Sequence, residues 1–251
     1  MEWQEREGGR VLEADLPGAL ATFTTRLGGV SGGPFASLNL GLLTGDEPSH
    51  VRENRRRAAL AAGVAPQSVL IGHQVHGAEI TRREAAPRPN PYAEPASAPP
   101  KVDGQVTSTP GLAPAVLVAD CLPVAVAGPA GIAMLHCGWR GLAAGIVDRG
   151  AQEVRATHAA IGPGIGPCCY EVGPEVLEAF ARLGDGMADG RMLDLRAVAS
   201  RLLEEAGVRA VEISELCTSC NAELFYSHRR DEGRTGRQAG LVRHAAAGRA
   251  G

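Results

Sequence analysis

Apolar positions along this chain recur in two rhythms. Short runs that are apolar at nearly every position and rich in β-branched residues predict strands at 21–25, 68–72, 115–119, 123–127, 131–135, 159–162, 210–214 and 240–243. Longer stretches with the three-to-four-residue spacing of an amphipathic helix fall at 49–62, 142–157, 174–183 and 195–206. Gly63 and Gly207 stand just past two of these stretches, where a left-handed residue ends a helix. The strands cluster in the middle, and the helices lie between and after them without strict alternation. That order favours an α+β domain with a mixed sheet over a doubly wound parallel one.

One segment, 84–101, breaks both rhythms with Pro87, Pro89, Pro91, Pro95, Pro99 and Pro100. Proline removes backbone donors, so the segment reads as an exposed Pro/Ala-rich loop. Apolar strands resume after it, which makes it an insertion into a single domain spanning 1–251. With 251 residues, 44% of them hydrophobic, one domain buries roughly 70–75% of the surface its unfolded chain would expose. No apolar run approaches the ~20 residues of a membrane helix; the longest, 113–135, is interrupted by Asp120, Pro123, Gly128 and Pro129. Residues 1–10 are polar and lack the apolar core of a signal peptide. The expectation is a cytoplasmic protein without a membrane partner. A net charge of −3 gives no basic field for nucleic acid, and the arginines, which outnumber the single Lys101, are scattered. The six cysteines impose no disulfide framework, since Cys168 and Cys169 are neighbours and thiols stay free in a reducing compartment.

Three side chains carry the chemistry. Cys121 follows the apolar run 115–119 and Asp120, an acid and a thiol at the mouth of a buried strand. His136 ends the next apolar run and leads into Cys137-Gly138-Trp139-Arg140-Gly141, a tight turn that presents large side chains. His73 and His76 follow the strand at 68–72; positions three apart face opposite sides of an extended chain, so one of the two is expected at the site. Gly77 beside His76 favours His76. One thiolate and two imidazoles suit zinc, and three protein ligands leave a fourth position for water or substrate, the catalytic rather than the structural pattern. The glycine-rich run 162–173 offers backbone amides to a ligand or is a plain loop; Pro163 and Pro167 rule out a dinucleotide fingerprint. Cys217 and Cys220 have C-x-x-C spacing, but no second C-x-x-C accompanies them, so they read as core residues. Ser227-His228-Arg229-Arg230 with Gly236-Arg237 forms a local basic patch that either holds an anionic substrate group or is a solvated loop.

Taken in order, several motifs resemble the YfiH family, also termed the multicopper polyphenol oxidoreductase or laccase-domain family, which includes peptidoglycan editing factors. They are Thr24-Thr25-Arg26, Ser37-Leu38-Asn39-Leu40-Gly41, Gln74-Val75-His76-Gly77, Val102-Asp103-Gly104, Ala119-Asp120-Cys121, His136 with Gly138-Trp139-Arg140-Gly141, and Gly166-Pro167-Cys168-Cys169-Tyr170-Glu171. The resemblance implies an α/β/β/α-layered fold and a zinc on His76, Cys121 and His136. It also implies phosphorolysis of adenosine, inosine and methylthioadenosine, with hydrolytic deamination of adenosine, so that purine nucleosides and phosphate are the partners. Cys137 departs from the Ala usual at its position and is a candidate extra ligand or oxidation liability. Arg26, Arg140 and Arg229 are the candidates for phosphate, and Asn39 and Cys168 join the substrate-binding set. Asp120 is the candidate general acid or base, with orientation of a ligand as its alternative role. Cys121 and Arg140 complete the catalytic set.

Two other readings use the same residues. Cys121 as nucleophile with His136 as base would make a cysteine hydrolase, able to remove a wrong amino acid from a peptidoglycan precursor. A copper-binding polyphenol oxidase is disfavoured: seven histidines with no H-x-H pair are too few for a four-copper cluster. Adventitious copper at the zinc site itself is accounted for by its higher affinity for nitrogen and sulfur ligands.

Overall fold

Strands that are apolar at consecutive positions must cover both faces, and two sheets built from such strands are stacked here between helices. The computed structural model describes residues 1–94 and 98–245. The first sheet holds β1 (Glu2–Arg6), β2 (Gly9–Leu16), β3 (Ala19–Thr24), β4 (Val69–Leu70), β7 (Ala113–Val118) and β14 (Gln238–His244), in the order β1-β2-β3-β14-β7-β4. The second holds β5 (Ile80–Arg82), β6 (Gly104–Thr107), β8 (Leu122–Gly128), β9 (Gly131–Cys137), β10 (His158–Ile161) and β13 (Ala210–Ile213), in the order β13-β10-β8-β9-β6-β5. A small hairpin pairs β11 (Ala188–Asp189) with β12 (Met192–Leu193). The helices are α1 (Pro48–Ala61), α2 (Trp139–Ala143), α3 (Ile146–Val154), α4 (Pro174–Phe180) and α5 (Leu195–Glu205).

The period-two alternation of each strand sorts its side chains between layers. On β7, Ala115 packs toward α1, while Val116 and Val118 enter the space between the sheets. On β8, Ala125 and Ala127 face the other sheet, and Val124 and Val126 face α3 and α5. On β9, Met134 lies between the sheets, whereas Leu135 and Cys137 pack under the helices. Three apolar layers result, lying between four structural layers in the sequence α1, first sheet, second sheet, α2–α5. This is the expected α+β, α/β/β/α-layered arrangement with mixed sheets. Alanines recur in the central layer, and at Gly240 the sheets approach closely: a Cβ there would lie 2.6 Å from Cβ of Pro123. Among the described residues, no helix is long and apolar enough to cross a membrane.

Three local expectations change. The helix predicted at 142–157 is two helices, because Gly145 takes φ 85 between α2 and α3, a conformation glycine adopts without steric cost. The polar start forms β1, the edge strand of the first sheet, whose partly exposed residues carry charge in place of the apolar signal, and β2 pairs it with β3. The Pro-rich loop is not exposed throughout: Asn90, Pro91 and Tyr92 are buried. The Tyr92 hydroxyl donates to the backbone oxygen of Arg55 at 2.9 Å, and the Arg55 guanidinium lies over its ring. Residues 95–97 of that loop lie outside the described residues.

Candidate active site

His76, Cys121 and His136 reach one point from three connections. His76 sits in the loop after β4. There, Gln74 clamps β7 by donating to the Leu117 oxygen at 2.7 Å and accepting its N–H at 2.8 Å. The next turn wraps around a carboxylate: Asp103, 1% exposed, accepts the N–H groups of Val75, His76 and Gly77 at 3.1, 2.9 and 2.8 Å. Three consecutive donors converge on one anion because His76 adopts φ 61, in the left-handed region. Cys121 lies between β7 and β8, behind Asp120 at φ 89. Each oxygen of the Asp120 carboxylate accepts one hydrogen bond, Oδ1 from the Thr218 hydroxyl and Oδ2 from the Arg229 N–H, both at 2.7 Å. His136 is near the end of β9, paired with Pro123, and its Nδ1 lies 2.8 Å from Asp103 Oδ1. Gly138 follows because nothing larger fits: a Cβ there would lie 2.9 Å from Cys121 Sγ.

The donor atoms of the three side chains all lie within 4.8 Å of one another. The two imidazole rings are edge to face, with centroids 4.9 Å apart. Burial raises the Cys121 thiol, but the charge and hydrogen bond of His136, joined by those of His76, hold it at about 6. Burial works the other way on His136; the Cys121 charge and the Asp103 carboxylate lift it to about 9. The Asp103 bond commits Nδ1 and leaves Nε2 toward the thiol, the arrangement in which a carboxylate orients a metal-binding histidine. A thiol and two imidazoles in contact, one of them carboxylate-backed, fit a zinc or copper ion by chemistry and by reach.

The trio stands on the wall of a cavity of about 870 Å³, within the usual size of small-molecule sites. Of the other sequence candidates, Asp120, Arg140 and Arg229 line it. The Arg140 guanidinium stacks on Trp139, and that of Arg229 lies over Tyr170. Three candidates do not line it. Arg26 spends its guanidinium on the backbone oxygens of Ala36 and Ala222 and on the ring of Tyr226. Asn39 is buried and braces the 41–46 loop, bonding Thr44, Asp46 and the Arg237 N–H. Cys168 lies beside Cys220, 3.5 Å from its sulfur. Cys137 is not an extra ligand: one position along β9 from His136, it points to the opposite face and is wholly buried under the helices. Burial, with the charges of Cys121 and Asp103, raises its thiol well above the usual range. The C-x-x-C pair is not a core pair either, since Cys217 is buried but Cys220 is exposed.

Sequence reasoning gave Asp103 no role, although Val102-Asp103-Gly104 was visible as a motif. Its function is a contact across the fold, with the 75–77 turn and β9, which spacing does not reveal. Tyr170 and Arg237 also line the cavity. Burial, with the charge of Cys121, pushes the Tyr170 hydroxyl up to about 12, so it keeps its proton at neutral pH.

Comparison with known proteins agrees along almost the whole length. The family model described as multi-copper polyphenol oxidoreductase laccase matches residues 20–245. Purine nucleoside phosphorylase YlmD of Geobacillus stearothermophilus is 37% identical over 246 residues, covering 90% of each chain. Purine nucleoside phosphorylase YfiH of Escherichia coli is 38% identical over 239 residues, covering 90% of this chain and 93% of that one. The crystal structure of the Geobacillus stearothermophilus YlmD superposes with a TM-score of 0.87 at 36% identity, over 97% of this chain and 99% of the other. Fold, length and sequence thus agree, and the chain belongs to the multi-copper polyphenol oxidoreductase laccase family, alongside the YfiH and YlmD proteins.

Proposed function

We propose that this protein is a zinc-dependent purine nucleoside enzyme. It cleaves adenosine, inosine and methylthioadenosine with phosphate, and converts adenosine to inosine with water. The observation that carries this reading is the convergence of His76, Cys121 and His136 on the wall of an arginine-lined cavity of about 870 Å³. The names of the relatives, purine nucleoside phosphorylases, supply the substrate class.

When bound by these three side chains, zinc supplies Lewis acidity and lowers the pKa of a coordinated water toward neutrality. The rest falls to the chain itself. Asp103 holds His136 in the tautomer that presents Nε2. Arg140, Arg229 and Arg237 line the cavity; Nη1 of Arg229 is held by the Glu171 oxygen and that of Arg237 by the Thr235 and Gly236 oxygens, and their remaining guanidinium N–H groups, with those of Arg140, are the donors offered to phosphate. Tyr170, protonated at neutral pH, offers a donor to the departing base. Asp120 is assigned to positioning: its two oxygens hold the Thr218 hydroxyl and the N–H of Arg229, which lines the cavity. In phosphorolysis the glycosidic bond breaks, phosphate joins the ribose carbon, and the free base takes a proton. In deamination water replaces the amino group, which leaves as ammonia.

One observation favours a second reading. Cys121, His136 and Asp103 stand in the order of a nucleophile, its base and the carboxylate that orients the base. The contact of His76 with the same thiol weighs for a metal, since a dyad needs only one imidazole. The test is incubation of metal-analysed protein with adenosine, with and without phosphate, followed by chromatography. Inosine in either buffer and adenine with ribose 1-phosphate only in phosphate are the expected products, both abolished by a chelator. No product from zinc-replete protein, or chelator-resistant turnover, overturns the proposal in favour of the cysteine hydrolase.

A further inference from the structure

Four of the six cysteines belong to neither the cavity nor the core of the sheets. Cys168 and Cys169 follow the glycine-rich loop after β10, and Cys217 and Cys220 lie in the turn after β13. We propose that Cys168, Cys169, Cys217 and Cys220 form a second metal site, a closed tetrathiolate that holds a structural zinc ion. It is independent of the site on His76, Cys121 and His136, and of the reaction assigned there.

The four sulfur atoms all lie within 4.8 Å of one another. Cys220 Sγ is 3.5 Å from that of Cys168 and 3.4 Å from that of Cys169. Bonds of about 2.3 Å to a central zinc put tetrahedral sulfurs about 3.8 Å apart, so the four need only small rotamer adjustments to close on an ion. The full set of four thiols leaves no position for substrate, in contrast to the three-ligand set in the cavity.

The backbone is arranged for the purpose. Gly166 N–H donates to Cys217 Sγ at 3.2 Å, giving that sulfur a hydrogen bond of the kind that supports a metal-bound thiolate. The Cys217 oxygen is held by the Asn221 N–H at 3.1 Å and side-chain amide at 2.8 Å, which closes the C-x-x-C turn. The two segments already meet, through the bridge between Gly164 and Cys217 and the Thr218 N–H donated to the Gly164 oxygen at 3.0 Å. Gly166 leaves the room required, since a Cβ there would lie 3.3 Å from Cys168 Sγ. The missing half of the C-x-x-C pair is thus an adjacent pair some fifty positions away in the chain.

The site would staple two parts of the cavity wall. Tyr170, next to Cys169, lines the cavity. Thr218, inside the C-x-x-C turn, holds the carboxylate of Asp120. On binding, the thiols release their protons to solvent.

The test is elemental analysis of the full-length chain, expressed with added zinc and purified under reducing conditions. Wild-type protein is expected to carry two zinc ions per chain. The C168S/C220S variant, which alters the two exposed thiols, is expected to carry one, as is H76A/C121A. Cobalt(II) is the second probe: H76A/C121A loaded with cobalt should show the intense thiolate-to-metal absorption of a sulfur-rich tetrahedral site, and C168S/C220S should lose that part of the wild-type spectrum. A metal-free H76A/C121A chain with native circular dichroism overturns the proposal. So does a disulfide among these four cysteines, found by mass spectrometry of unreduced protein with only one zinc. If instead the wild type holds one zinc that C168S/C220S loses and H76A/C121A keeps, the cysteine site stands and the zinc reading of the cavity fails.

Discussion

The Asp103 carboxylate accepts three consecutive backbone N–H groups and faces one imidazole nitrogen, all while 1% exposed. An amide in its place would aim a donor at those donors. Asp103→Asn is therefore expected to lose about 1–3 kcal/mol of stability, the cost of leaving a buried polar group unsatisfied. It should also weaken zinc binding about 10–100-fold, the usual effect of removing a ligand's supporting carboxylate. Urea unfolding and competition with a chromophoric chelator measure the two. Unchanged affinity in the folded variant would show that Asp103 does not orient His136. By contrast, Cys137 stands beside His136 in sequence and opposite it in space, so Cys137→Ala should leave the metal content unchanged.

At the scale of elements, β7, β8 and β9 place the site. Cys121 sits in the connection between the first two, and His136 near the end of the third. The edges around them rely on side-chain caps, of which Glu84 is the fullest. Its carboxylate, in the segment after β5, accepts from the Thr109 hydroxyl at 2.7 Å, the Ser108 hydroxyl at 2.9 Å and the Ser108 N–H at 3.1 Å. The Thr109 bond, against the opposing effect of burial and with help from Ser108, lowers its pKa from 4.5 to about 2. The folded state thus binds the proton more weakly than the unfolded chain. The stabilisation is complete above pH 4.5 and is lost as pH falls toward 2. Glu84→Gln should lower stability at neutral pH by a modest amount, because the carboxylate is half exposed. It should also flatten the acid limb of stability against pH, measured by thermal unfolding from pH 2 to 7. An unaltered acid limb would remove Glu84 as a source of that dependence.

For the whole molecule, the trio adds a second link between parts that Asp103 already ties together by hydrogen bonds. The His76 loop is clamped to the first sheet through Gln74, while His136 belongs to the second. An ion on this set binds the folded chain and not the unfolded one. At a hundredfold excess over its dissociation constant it would add about 2.7 kcal/mol. In a chain of this size that is a melting shift of about 5–10 °C. Zinc titrated into metal-free C168S/C220S, followed by calorimetry, should raise the melting temperature by this amount. A melting temperature independent of zinc would exclude the trio as a metal site.

The sequence by itself determined the continuously apolar strands β3, β7, β8, β9, β10 and β14, the class and the identity of the three convergent side chains, but not the interior strands β2 and β6. Continuous apolar runs admit only two-sided burial, and a thiol or histidine at the end of such a run is costly without a partner. It did not determine which chemistry-bearing residues are neighbours. Arg26 and Asn39 have the residue types of a substrate site but spend their polar groups on backbone and loops. Asp103 and the four clustered cysteines acquire their settings only when segments far apart in the chain are brought together. Periodicity is set by local backbone geometry and is written along the chain. Convergence depends on how β14 enters between β3 and β7 and on how closely the two sheets stack, and these are properties of the packed whole.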